Sequence, residues 1–174
     1  MRTILLLLLA LPSQDVRPPN VVVFLADDLG WGDLGCYGHP AIQTPNLDAF
    51  AAEGVRLTQC YAASGVCSPS RSAILTGRTP HRNGVYTWIA AGSEVHLRPS
   101  ELALPKLLKQ KGYVTAHSGK WHLNGKFNSP EQPQPGDHGY DYVRTRLETS
   151  LRFLDRNLGG ARGSGTRPRV TARD

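Results

Sequence analysis

The sequence predicts an α/β fold in which short parallel strands deliver polar residues to one end of a sheet. Three observations predict it. Residues 20–26, reading NVVVFLA, form an unbroken apolar, β-branched run of strand length, the pattern of a strand covered on both faces. The run ends at Asp27-Asp28-Leu29-Gly30, and open α/β sheets present their ligands at strand carboxyl ends. Residues 100–111 carry Leu102, Leu104, Leu107 and Leu108 at helical spacing before Gly112, and residues 113–117 then read as a short strand.

The elements follow in order. Residues 45–54 are a short helix with Thr44 as cap, Leu47 and Phe50 facing in, and Gly54 as stop. Residues 55–61 are a second strand candidate, leading into a loop, residues 62–66. Cys67-Ser68-Pro69-Ser70-Arg71 then opens a helix. Ser68 suits the N-cap and Pro69 the first turn, where its missing N–H costs nothing. Ile74 and Leu75 give that helix a buried side, and Gly77 stops it. Arg71 lies one turn after Cys67, so its guanidinium and the free helix N–H groups make an anion site beside the cysteine. Residues 79–84, with His81 and Arg82, read as a solvated turn. Residues 124–137 are an irregular loop punctuated by three prolines. Leu147, Leu151, Leu154 and Leu158 give a last amphipathic helix over 146–158.

Taken alone, Asp27-Asp28 is a turn after a strand, Lys120 a surface lysine and His122 a loop histidine. Two adjacent carboxylates at a strand end, however, repel one another unless a hard cation with oxygen ligands sits between them. Together the motifs resemble the type I sulfatases, a branch of the alkaline-phosphatase-like superfamily. The resemblance is carried by Cys67-x-Pro-Ser-Arg with its Leu-Thr-Gly-Arg continuation, by Asp27-Asp28-x-Gly after the apolar strand, and by Gly119-Lys120-Trp121-His122-Leu123. His138-Gly139-Tyr140-Asp141 resembles a further landmark and is assigned no catalytic role. The resemblance spans about residues 20–158 and implies the N-terminal part of an alkaline-phosphatase-like sandwich, a mostly parallel central sheet flanked by helices.

That resemblance implies a sulfuric ester hydrolase. Cys67 would be oxidised to formylglycine, whose hydrate is the nucleophile: one hydroxyl attacks sulfur and expels the alcohol, and the other collapses to eject sulfate. Asp27, Asp28 and the converted Cys67 map onto ligands of one calcium ion. Arg71 and Lys120 would neutralise the sulfate, and Lys120 and His122 would bind it, with His122 serving the leaving oxygen. Further metal ligands come from later sequence in the family, so residues 1–174 alone are expected to bind calcium weakly and show little activity. Hydrolysis of phosphate or phosphonate esters by the same fold is one alternative, and a non-catalytic exported remnant is another. A cysteine phosphatase fails on spacing, because its Cys-x5-Arg pattern would need arginine at position 73, where Ala73 stands.

Composition bounds the remaining readings. The chain has 174 residues and 40% apolar content, enough for one domain with a core. Residues 1–13 read as a signal peptide: Arg2, an apolar stretch at 4–11 too short to span a bilayer, then a polar exit. Export to the periplasm or outside the cell is expected, without stable membrane insertion after cleavage. The expected partners are a sulfated small molecule or glycan and a formylglycine-generating enzyme. The net charge of +6 sits in the tail: residues 1–143 hold 12 Lys and Arg against 11 Asp and Glu, residues 144–174 hold 8 against 3. Phe153 is the only aromatic there, so no stacking platform accompanies the arginines and nucleic acid is not expected. Residues 159–174, rich in Gly and Arg, have little to bury and are expected to be disordered, with a shifted or truncated reading frame near Leu158 as the suggested origin. Three cysteines cannot all pair within the chain. Cys36 and Cys60 suit either a disulfide or two small buried thiols, and Cys67 is the one open to conversion.

Overall fold

The computed structural model describes residues 18–144. The expected signal peptide, the helix over 146–158 and the tail lie outside the described residues. Within them the chain is α/β. Its helices are α1 (Pro45–Glu53), α2 (Cys67–Thr76), α3 (Pro80–Asn83) and α4 (Leu104–Gln110), with 3₁₀ turns at Gly35–Tyr37 and Pro135–His138. Strands β1 (Ala116–Ser118) and β2 (Tyr142–Arg144) pair in parallel, with Ala116 opposite Tyr142 and Ser118 opposite Arg144. The connection between them carries the Gly-Lys-Trp-His-Leu motif and the Pro135–His138 turn.

Prolines start three of the helices, at or next to the first position of α1, α3 and α4. α2 begins two residues earlier than a cap at Ser68 implied. Its N-cap is Val66, so Cys67 is the first helical residue and Ser68 lies inside. Gly77 ends the helix with φ 64°, and its N–H bonds the Ala73 carbonyl, the left-handed cap that glycine adopts freely. The expected turn at 79–84 is the single helical turn α3, which ends at Gly84.

The buried side of α2 also differs from expectation. Ser68, Pro69, Ser72 and Leu75 are buried, whereas Ile74 is 49% exposed. Two serines fit an interior because each hydroxyl is satisfied. Ser68 Oγ accepts from the Ile89 N–H at 3.2 Å, and Ser72 Oγ donates to the Pro69 carbonyl at 2.8 Å. Asn83 Nδ2 donates to Ser72 Oγ at 2.9 Å, and Asn83 Oδ1 accepts from the Val85 N–H at 3.0 Å. This network locks α2 to α3 and leaves the face bearing Cys67, Arg71 and Ile74 free of it.

The core gathers Leu75, Val85, Ile89, Leu97, Ala103, Trp121 and Leu123, with Tyr140 packed against it. The Leu97 N–H bonds the Leu123 carbonyl at 2.8 Å, so the site-bearing segment is stitched to residues 96–97. An aromatic cluster lies beside it: Trp121 is 5.4 Å from both His117 and His138 between ring centroids, and 6.2 Å from Tyr140.

The two apolar strand candidates are not strands. Residues 20–26 and 55–61 make no ladder bonds, and Phe24, Val55 and Tyr61 are more than 80% exposed. A buried strand requires a hydrogen-bonding neighbour and a cover on each face, and neither run has these among the described residues. Two side-chain ties still link residues 19–27 to 113–120, Tyr113 Oη donating to the Pro19 carbonyl (2.9 Å) and Lys120 Nζ donating to Asp27 Oδ2 (2.6 Å). Leu47 and Phe50 of α1 are exposed instead of facing in. Thr44 stands at the N-cap, yet its hydroxyl bonds Asp48 Oδ1 and the Gly35 N–H, tying the Gly35–Tyr37 turn to α1. Cys36, Cys60 and Cys67 are all free thiols.

Candidate active site

Three motifs distant in sequence meet at Asp27. Its Oδ1 accepts from Arg71 Nη2 at 2.9 Å, and its Oδ2 accepts from Lys120 Nζ at 2.6 Å. Arg71 Nη1 also donates to the Lys120 carbonyl at 2.7 Å, which fixes the guanidinium against the turn after β1. Arg71 is nearly covered, with 11% of its side chain exposed, while Asp27 and Lys120 stay open to solvent at 38% and 42%. The Lys120 and Arg71 contacts hold the Asp27 carboxyl below its ordinary range. The site therefore holds two cations around one carboxylate, with Cys67 half-buried one helical turn from Arg71 at the start of α2.

Backbone strain marks two of the site positions. Asp28 and His122 have φ of 58° and 56°, which non-glycine residues rarely adopt. Asp28 is exposed and stands outside the ion pairs at Asp27. His122 points its Nε2 at the Ile89 carbonyl, 2.9 Å away, and because a carbonyl only accepts, Nε2 carries the proton. Its Nδ1 is buried and has no partner among the described residues. Trp88 packs edge-on to the His122 ring at 5.9 Å. His122 and Lys120 share an open groove of about 410 Å³ with Trp88, Ile89, Trp121 and Phe127. Trp88 and Phe127 were not singled out from the sequence. Lone aromatics in loops carry no periodic signal, and only the fold brings them to the motif.

The structure thus brings Asp27, Arg71 and Lys120 into contact and sets His122 along the adjoining groove. Asp28 and Cys67 lie in the same two motifs without joining the ion pairs. Asp27 and Asp28 offer hard oxygen donors of the kind calcium prefers. A calcium ion takes about six to eight oxygens, and no group of three or more His, Cys, Asp or Glu suited to a metal occurs among the described residues. The two aspartates fit the ion in kind and supply part of a ligand set.

The described residues thus form an α/β unit that gathers an arginine, a lysine and an aspartate beside a helix beginning at a cysteine. The sulfatase family model matches residues 19–165. Human N-acetylgalactosamine-6-sulfatase is 47% identical over 133 residues, covering 72% of this chain and 25% of its own length. Human arylsulfatase A is 48% identical over 133 residues, with 74% and 26% covered. Mouse steryl-sulfatase is 43% identical over 159 residues, with 87% and 26% covered. The solved structure of the PsFucS1 sulfatase from Pseudoalteromonas sp. superposes with a TM-score of 0.64 at 38% identity, covering 82% of this chain and 31% of that one.

The chain belongs to the sulfatase family. It spans about a quarter of the length of the curated relatives it matches.

Proposed function

We propose that this chain is the nucleophile-bearing part of a sulfuric ester hydrolase, with Cys67 as the residue converted to formylglycine. The observation that carries the reading is the convergence of Arg71 and Lys120, 49 residues apart, on Asp27 beside the helix that Cys67 begins. A sulfate monoester is an anion, and attack at its sulfur requires that charge to be neutralised first. Arg71 offers a planar fork and Lys120 a mobile point charge for the sulfate oxygens. Asp27 and Asp28 would contribute ligands to a calcium ion, which would add charge neutralisation, and formylglycine at position 67 would supply the nucleophilic hydroxyl. His122 keeps its proton on Nε2 against the Ile89 carbonyl, so serving as a proton donor through Nδ1 requires the imidazolium form.

The substrate we propose is a sulfate ester of a glycan or of a small alcohol, bound with its organic part along the groove at Trp88 and Phe127. One similar solved structure, 38% identical with a TM-score of 0.58, is a complex with its substrate D-glucosamine-2-N,6-O-disulfate. The N-terminal signal-like segment supports export, and a formylglycine-generating enzyme is the proposed modifying partner. No helix of the described residues is long and apolar enough to cross a membrane.

The test is turnover of an aryl sulfate, and of the matching aryl phosphate, by full-length protein from cells able to convert the cysteine. Sulfate hydrolysis that disappears in Cys67→Ala is expected, with residues 1–174 alone nearly inactive. Hydrolysis unaffected by Cys67→Ala, or a preference for the phosphate, contradicts the reading.

A further inference from the structure

The groove beside His122 draws its lining from two stretches of chain, residues 88–91 and 119–127. Just past the first stretch, residues 92–94 are joined to the second. The Gly92 N–H donates to the Gly125 carbonyl at 2.7 Å. Gln132 completes the join with a single side-chain amide. Its Oε1 accepts from the Gly125 and Lys126 N–H groups, both at 2.9 Å, and its Nε2 donates to the Ser93 carbonyl at 2.8 Å. Lys126 Nζ also pairs with Glu94 at 2.5 Å and with Glu131 at 2.8 Å, but both carboxylates are exposed and such pairs hold weakly. Gln132 is only 4% exposed, so its three bonds are shielded from water. Gln134 steadies the loop that carries Gln132, its Nε2 donating to the carbonyls of Lys126, Ser129 and Gln132. The join needs an amide: a carboxylate accepts without donating, an ammonium donates without accepting, and an alkyl group does neither.

We propose that Gln132 is a positioning residue for the organic part of the sulfate ester, because it clamps residues 125–126 to residue 93 before a ligand arrives. Phe127 directly follows the two clamped N–H groups, and Trp88 lies four residues before Gly92. The clamp therefore fixes the two aromatic side chains of the groove relative to one another. Their rings suit an alcohol that itself carries a ring, which stacks on or packs against an aromatic face. A groove set in advance loses less free energy to ordering its walls on binding. A bare sulfate ion has no organic part to place there and gains nothing from the clamp. This role rests on the proposed reading of the groove as the seat of the ester's organic part.

The test is steady-state hydrolysis of an aryl sulfate by the full-length protein, for the wild type, Gln132→Leu and Gln132→Glu, with inorganic sulfate as a competing product. Leucine makes none of the three bonds, and glutamate keeps the two accepted bonds and loses the donated one. Gln132→Leu is expected to raise KM about tenfold, while kcat and the inhibition constant of inorganic sulfate change less than about twofold. Gln132→Glu is expected to fall between it and the wild type. General damage to the fold would instead lower kcat and weaken inhibition by sulfate along with KM. An unchanged KM in Gln132→Leu, or a KM, kcat and inhibition constant that all move together, overturns the role. Should circular dichroism show Gln132→Leu unfolded, Gln132→Glu decides by the same criteria. Hydrogen exchange separates the clamp from the proposed function. A wild type without turnover refutes that function; faster exchange of the Gly125 and Lys126 N–H groups in the variants then still supports the clamp, and unchanged exchange overturns it.

Discussion

Lowering the pH from 7 to 5 is expected to destabilise this fold through one buried histidine. His138 is fully covered, both its ring nitrogens lack a partner among the described residues, and its ring packs on Trp121 at 5.4 Å. Burial, with Lys106 adding to it, lowers its pKa from 6.5 to about 4. Asp137 and His96 act on it too, in opposite directions. The folded form resists a proton that the unfolded chain accepts. Stability is therefore full above pH 6.5 and falls as the pH drops towards the folded value near 4. With 1.36 kcal/mol per pKa unit, the loss approaches about 3 kcal/mol at the acid limit and is about 2 kcal/mol at pH 5. His117, its pKa also lowered by burial, acts in the same direction. Asp27 and Glu94, with lowered carboxyl pKa values, contribute mainly below their ordinary values of 3.8 and 4.5, outside this window. The assay is urea unfolding at pH 7 and pH 5. A loss of about 2 kcal/mol moves the midpoint down by about 1 M. His138→Phe keeps a flat ring against Trp121 and cannot titrate, so its midpoint should move much less between the two pH values. A wild-type midpoint that is flat over this range, or a His138→Phe chain with the same slope, refutes the reasoning.

Three substitutions test the packing that holds the site. Leu97→Ala empties a fully buried position whose N–H bonds the Leu123 carbonyl, and should cost about 2–5 kcal/mol in urea unfolding. Asn83→Ala leaves the Val85 N–H without its acceptor and Ser72 Oγ without its donor, and should cost about 1–3 kcal/mol by the same assay. Gly125→Ala would drive a methyl into the Ser93 backbone, where the Gly92 N–H already bonds the Gly125 carbonyl at 2.7 Å. It should lower the thermal midpoint by several degrees, about 1–3 kcal/mol in free energy. An unchanged midpoint in any of these contradicts the packing described here.

Helices were the most legible part of the sequence. Pro45, Gly77 and Gly112 act locally, through a fixed φ or a left-handed turn, and their effect does not wait on tertiary context. The strands were less legible because a strand is defined by its neighbour. Residues 20–26 have the composition of a buried strand but gain ladder bonds only when another strand lies alongside. Ser68 was read as a cap, and the burial of Ser68 and Ser72 was not anticipated, for a related reason. Hydropathy ranks a serine as a surface residue, and only Asn83 and the Ile89 N–H, distant in sequence, make their burial tolerable. In the candidate site, the motifs pointed to Asp27, Arg71 and Lys120, and these three meet. The order of the motifs gave no hint that Asp27 would take both cations while Asp28 took neither. The burial of His138 was not anticipated because nothing near it in sequence marks a histidine as buried.

The most direct measurement is the mass of the peptide containing Cys67 from protein made in cells that hold a formylglycine-generating enzyme. The account predicts a peptide in which the cysteine has lost its sulfur and two hydrogens and gained one oxygen, and which reacts with a hydrazide. An intact thiol at Cys67 in such cells, with no aldehyde detected, would contradict the central claim that this residue becomes the nucleophile of a sulfatase.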